Sequence, residues 1–267
     1  MFTVSQTMLE TPIGWVLLLI LGTLTGTLSG LLGIGGGLLM VPALTLFGVP
    51  LVQATATSLV GVFLSAFSGS VQNLRTGDLN WHVSLVLAAF GIFTAQAGAW
   101  LGDRIPDEGL SLAFAGLLLL TIYLMNLRQS LKTRQSVPAI ASRHTPMQFT
   151  PTAGIGLLAG LLSGLFGVGG GLVMVPLQML CLSEPIKSAI RTSLGAIVAI
   201  AISALAQHAW NGNVLWIPGL CLGIGGIVGA QLGSRLLPTL PDRTVNLMFR
   251  VTLILLAIYM VIRVLAR

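Results

Sequence analysis

Residues 26–42 read GTLSGLLGIGGGLLMVP, and residues 160–176 read GLLSGLFGVGGGLVMVP. Three consecutive glycines (Gly35, Gly36, Gly37) therefore recur as Gly169, Gly170 and Gly171, 134 residues later. A glycine run this dense breaks a helix and lets another group approach the backbone. A helix restarting at Leu38 or Leu172 presents unpaired N–H groups and a positive dipole end. That chemistry suits an anion and needs no charged side chain. The alternative is close helix packing, which suffices for the upstream spacings Gly22/Gly26/Gly30 and Gly156/Gly160/Gly164.

Hydroxyls follow each run. Thr57 and Ser58 in the first copy match Thr192 and Ser193 in the second. They either donate to an oxyanion or bond back to a carbonyl one turn earlier. Arg191 precedes Thr192, and its counterpart Ala56 is neutral. It either forks onto a sulfonate or carboxylate or snorkels to headgroups. Lys187, one turn earlier, reads as a snorkelling cation, with Glu184 as a possible partner. Gln72 and Gln207 also match across the copies and are candidate lining amides. His208 and Asn73 sit beside them and read as structural.

The elements that carry these residues are apolar. Charged residues make up 7% of the chain against 55% hydrophobic ones. Soluble domains carry about 25% charged residues, so the solvent here is lipid. No Asp, Glu, Lys or Arg occurs between Glu10 and Arg75, Asp78 and Asp103, Glu108 and Arg128, Arg143 and Glu184, or Arg191 and Arg235. Each interval holds at least one span. The net charge of +6 lies in short loops, as the positive-inside rule expects, and excludes a nucleic-acid partner. Cys181 and Cys221 lack metal spacing and read as buried thiols. No cofactor or metal motif is present, and no catalytic constellation, so the chain does not read as an enzyme. The first apolar run reads as a retained helix, not a signal peptide.

Five apolar segments fall in each half, near 13–33, 38–49, 52–72, 81–101 and 109–127, then near 150–167, 172–182, 187–208, 214–234 and 244–263. The organisation is a first membrane repeat over 1–128, a basic linker over 129–149 and a second repeat over 150–267. Segments 38–49 and 172–182 are short, so each spans or returns as the second limb of a re-entrant pair. Either way each half crosses an odd number of times. The expected fold is all-α and polytopic, two inverted repeats with glycine-broken or re-entrant helices at the start of each. With the linker on the cytoplasmic side, the loops at 103–108 and 211–213 both fall outside.

The doubled GxGGGxLxVP, followed by Ala54–Leu59 and Ala189–Leu194 (A-x-x-T-S-L in the first, A-I-R-T-S-L in the second) and the GAxLG elements at 98–102 and 229–233, resembles the sulfite exporter TauE/SafE family. The resemblance covers essentially the whole chain. It implies a bacterial inner-membrane carrier of small sulfur-containing anions such as sulfite, sulfonates or sulfoacetate. A passive anion channel or a membrane subunit of a larger complex are the alternatives. The partners expected are the lipid bilayer and a small anionic substrate.

Overall fold

The computed structural model describes residues 11–77, 79–134 and 149–265. They form ten α-helices in chain order: α1 (Pro12–Leu32), α2 (Gly37–Leu46), α3 (Leu51–Arg75), α4 (Trp81–Gly102), α5 (Asp107–Arg134), α6 (Phe149–Phe166), α7 (Gly171–Cys181), α8 (Ile186–Trp210), α9 (Trp216–Leu236) and α10 (Asp242–Leu265). No strand occurs among the described residues. Eight helices are long and apolar enough to cross a bilayer, and α2 and α7 are not. The helix α5 runs through Arg134, past the expected start of the linker at 129. Residues 128–134 contain no helix breaker, and a basic end is favourable at a helix C-terminus. The rest of the linker, 135–148, lies outside the described residues.

Local chemistry sets the boundaries. Thr11 caps α1 by accepting the N–H of Gly14 (3.2 Å), and Pro12 occupies the first turn where no donor is needed. Gly33 ends α1 in the left-handed region (φ 71°), with its N–H on Ser29 O at 2.8 Å. Pro50 and Pro185 stand immediately before α3 and α8, in extended conformations that exclude helix.

Packing exchanges a helix between the sequence halves. α1 lies on α9, in the order Gly22 against Leu222, Gly26 against Gly226 and Gly30 against Ala230. A methyl added to Gly26 would lie 2.7 Å from the Cα of Gly226, so these backbones touch. In the same way α6 lies on α4, with Gly156 against Leu87, Gly160 against Gly91 and Gly164 against Ala95. The upstream glycines are thus packing residues. α3 advances alongside α9, and α4 alongside α8. Ser68 Oγ donates to Ile227 O (2.9 Å), and its counterpart Ser203 Oγ donates to Ile92 O (2.8 Å). The contacts gather two bodies, α1·α3·α9 and α4·α6·α8, each containing helices from both halves. α5 and α10 pack on each other beside them, where Arg250 donates to Met125 O at 3.3 Å.

Surfaces follow the same logic. All five tryptophans are at least one-third exposed. Cys181 is exposed and Cys221 half-buried, both free, so the expectation of buried thiols fails for Cys181. It occupies the last turn of α7, where the short helix leaves the packed interior.

Candidate functional site

Each glycine run is a tight reversal between a long helix and a short one. Gly33, Gly35 and Gly36 have φ of 71°, 77° and 83°, and Gly167, Gly169 and Gly170 have 66°, 76° and 76°. L side chains rarely adopt this region, which is why the motif is repeated glycine and not merely small residues. Residues 33–37 and 167–171 are all buried. Gly36 and Gly170 are the N-caps of α2 and α7 and carry no side chain to satisfy the first turn. Among the described residues, the N–H groups of Gly37, Leu38, Gly171 and Leu172 have no acceptor. Buried main-chain donors without partners are rare in folded proteins.

The two runs meet. Gly37 lies against the carbonyl of Gly167, and Gly171 against the carbonyl of Gly33. Methyls added to Gly35 and Gly169 would both touch Val62 Cγ1 (3.0 and 2.7 Å) and Ile197 Cγ2 (3.3 and 2.9 Å). Val62 and Ile197 are equivalent in the repeat and stand midway along α3 and α8. The centre between the loops is closed in this conformation, filled by these two side chains and by backbone.

The hydroxyls divide. Ser58 Oγ donates to Thr55 O (2.7 Å) and to Gly167 O (3.0 Å), so it tethers α3 to the second glycine loop. Its counterpart Ser193 instead accepts from Gln178 Nε2 at 2.7 Å. Thr57 Oγ1 accepts the N–H of Leu215 (3.0 Å), and Thr192 O accepts from Ser84 Oγ (2.8 Å). Arg191 is half-buried in the second turn of α8. Gln72 and Gln207 lie near the ends of α3 and α8, ten residues beyond Val62 and Ile197, or about 15 Å along the helix axis. Gln207 bonds Asn211 (3.5 Å), so neither glutamine joins the glycine contact.

Sequence reasoning passed over four polar residues. Ser29 and Ser163 are fully buried, and their hydroxyls have no partner among the described residues. They are repeat equivalents inside the glycine motif itself, and Ser29 Cβ lies 3.6 Å from a methyl added to Gly36. Their signal was the repeated S-G one turn before the glycine run. Thr55, whose backbone abuts Gly167, has a buried Oγ1 that is likewise unpaired. Gln178 is fully buried with a free Oε1, and its counterpart is Leu44, so no repetition pointed to it.

At the end of the molecule where α4 and α8 finish, Asp103 accepts from Asn211 and from Asn213 Nδ2 (2.8 Å). The 103–108 and 211–213 loops, expected on one side of the membrane, are therefore joined. Lys187 reaches Pro238 O (3.2 Å) and Asp242 (3.7 Å) at the start of α10.

A profile described as Sulfite exporter TauE/SafE matches residues 18–260. A probable membrane transporter protein of Xylella fastidiosa (strain Temecula1) is 31% identical over 91% of this chain and 93% of its own. The probable membrane transporter protein YunE of Bacillus subtilis is 26% identical over 91% of this chain and 95% of its own. The probable membrane transporter protein MJ0441 of Methanocaldococcus jannaschii is 26% identical over 92% and 95%. No solved structure matches the chain. A multi-pass membrane chain with a doubled glycine reversal at its centre, matched over nearly its whole length, belongs to the sulfite exporter TauE/SafE family.

Proposed function

We propose that the protein carries small sulfur-containing anions across the bacterial inner membrane by alternating access, and that it exports them. The carrying observation is the meeting of two glycine loops that leave main-chain N–H groups buried and unpaired. Unpaired buried donors mark a place where a negative group replaces missing acceptors. The orphan hydroxyls of Ser29 and Ser163 add a side-chain donor to each loop. No Asp or Glu lies deep in a spanning helix, which suits an anion and not a cation.

The halves are read as inverted repeats. Support comes from helix direction: α1 advances with α9 and α6 with α4, while the short 76–80 connection turns the chain back between α3 and α4. The rocking units are then the α1·α3·α9 and α4·α6·α8 bodies, not the sequence halves. Binding requires them to part, because Val62 and Ile197 close the centre in this conformation. Moving one negative charge out of an inside-negative cell releases about 2.3 kcal/mol per 100 mV. Export can therefore run on the membrane potential.

The test is flux of sulfite, sulfoacetate, taurine and simple carboxylates in proteoliposomes under imposed voltage. The Ser29→Ala, Ser163→Ala double variant removes only orphan hydroxyls, so it folds and loses apparent affinity. Voltage-insensitive flux, or unchanged affinity in that variant, overturns the reading.

A further inference from the structure

One titratable pair, His208 of the second copy with Asp103 of the first, has a neutral equivalent at the opposite end of the repeat relation. His208 lies in the last turn of α8 and is fully buried, while Asp103, just past α4, keeps 19% of its side chain exposed. Their counterparts are Asn73 and Ser234, both neutral. The ring of His208 is pinned on one side, with Nε2 3.0 Å from Gly164 O in α6. A carbonyl only accepts, so Nε2 carries a hydrogen. In the neutral ring Nδ1 is then a bare lone pair. It faces Asp103 Oδ1 at 3.6 Å and has no hydrogen-bond partner. Asp103 already accepts from the amides of Asn211 and Asn213, so both of its oxygens serve as acceptors. Two acceptors thus point at each other across a gap that one proton would bridge.

We propose that His208 and Asp103 form a proton-binding site that latches this end of the transport path. The step is one proton entering from the loop side, where Asp103 is exposed, and bonding to Nδ1. The product is an imidazolium whose Nδ1–H donates to Oδ1 and whose Nε2–H keeps Gly164 O. No other bond forms or breaks. The latch ties α8 to α6 and to the end of α4, all members of one body, and it clips the 103–108 loop to the 211–215 loop. The 211–215 loop continues into α9 of the other body, and Leu215 N–H is held by Thr57 of α3. Occupancy of the site therefore acts on the boundary between the two bodies.

Surrounding charges are few. α6 contributes none, α3 carries only Arg75 at its far end, and α4 carries only His82 at its opposite end. α9 carries only Arg235 near its far end, and α7 none besides the thiol of Cys181. On α8 itself, Lys187 and Arg191 stand in the first two turns, at the other end from His208. On α10, Asp242 and Arg243 open the helix and Arg250 faces α5. Beside Asp103, Arg104 is stacked 3.5 Å over the ring of Trp100. Asp107 takes the N–H of Leu51 (3.4 Å), and Glu108 is exposed. Asp103 is the charge that faces the imidazole.

Latching of transport rests on the carrier reading, but proton binding and its conformational consequence can be measured without substrate. The chain has three histidines, so 15N-histidine spectra of the detergent-solubilised protein assign His208 by its loss in His208→Asn. The expected result is a His208 signal that titrates and that shifts when Asp103 becomes Ser. Conformation is read by maleimide labelling of Thr55→Cys, buried against the second glycine loop, in a Cys181→Ser, Cys221→Ser background. Labelling should quicken about tenfold as pH is raised from about 4 to 8 and the latch loses its proton. In the His208→Asn, Asp103→Ser double variant the rate should be flat with pH. That variant installs the residue types found at the equivalent positions, Asn73 and Ser234, and size-exclusion elution verifies its fold. A His208 signal that never titrates, or equal pH dependence in the double variant, overturns the proposal. Absent anion flux beside intact pH-dependent labelling would instead sink the carrier reading and leave the proton site standing.

Discussion

The two copies of the repeat agree in backbone and differ in side-chain chemistry. Their glycine reversals share the same left-handed residues within a few degrees, and each loop presses on the other's carbonyl. Ser68 and Ser203 make matching bonds to matching carbonyls. Polar side chains then diverge: Ser58 tethers a glycine loop while Ser193 receives Gln178, and the equivalents of His208 and Asp103, one from each half, are the neutral Asn73 and Ser234. The backbone is therefore the shared machine. The differences make its two ends chemically unequal, as a carrier exposed to two different compartments requires.

The largest effects should test the agreement. Gly26→Leu and Gly160→Leu each drive a side chain into a facing backbone, with a methyl already 2.7 Å from Gly226 Cα and 2.6 Å from Gly91 Cα. Both should cost about 3 kcal/mol or more and yield aggregated protein on size exclusion. Equal damage supports equivalent packing, and one tolerated substitution breaks it.

A smaller effect should separate the copies. Gly36→Ala and Gly170→Ala both place a side chain at positive φ, costing about 1–2 kcal/mol. At Gly170 the methyl would also meet Ala159 O at 2.6 Å, whereas at Gly36 the nearest atom is the flexible end of Met40 at 3.2 Å. Gly170→Ala should therefore lower the melting temperature more than Gly36→Ala.

The hydroxyls rank next. Ser193→Ala strands the buried Gln178 amide and should cost about 1–3 kcal/mol. Ser58→Ala removes a donor from Gly167 O and should cost about 1 kcal/mol. Adding Gln178→Leu to Ser193→Ala removes the stranded amide and should restore most of the loss in a double-mutant cycle. No restoration would mean that Gln178 is held by something other than Ser193.

Much of this was written in the sequence. Charge-free intervals located seven of the eight long helices, the apolar segment near 244–263 located the eighth, and the shift of 134 residues located both reversals. The hidden part was pairing between distant positions. Repetition says which residues are alike, not which touch, so the exchange that sets α1 on α9 and α6 on α4 was out of reach. His208 read as structural because its partner, Asp103, is 105 residues away and belongs to the other half. Ser29 and Ser163 were visible inside the motif, yet only burial without a partner distinguishes them from ordinary helix serines.

Lys187 should give the smallest effect and bounds the comparison from below. It is absent from the first copy, where Val52 stands, so by position alone it resembles the other asymmetric residues. Its surroundings differ in kind. Its side chain is 25% exposed and Asp242's is 61%, so water and salt screen the 3.7 Å pair. Exposed pairs are worth about 0–1 kcal/mol. Lys187→Ala should therefore shift melting slightly at low salt and not at all at high salt, with transport unchanged. A salt-independent loss of flux would instead move Lys187 into the transport path and show that asymmetry in this fold marks function even at its wet edge.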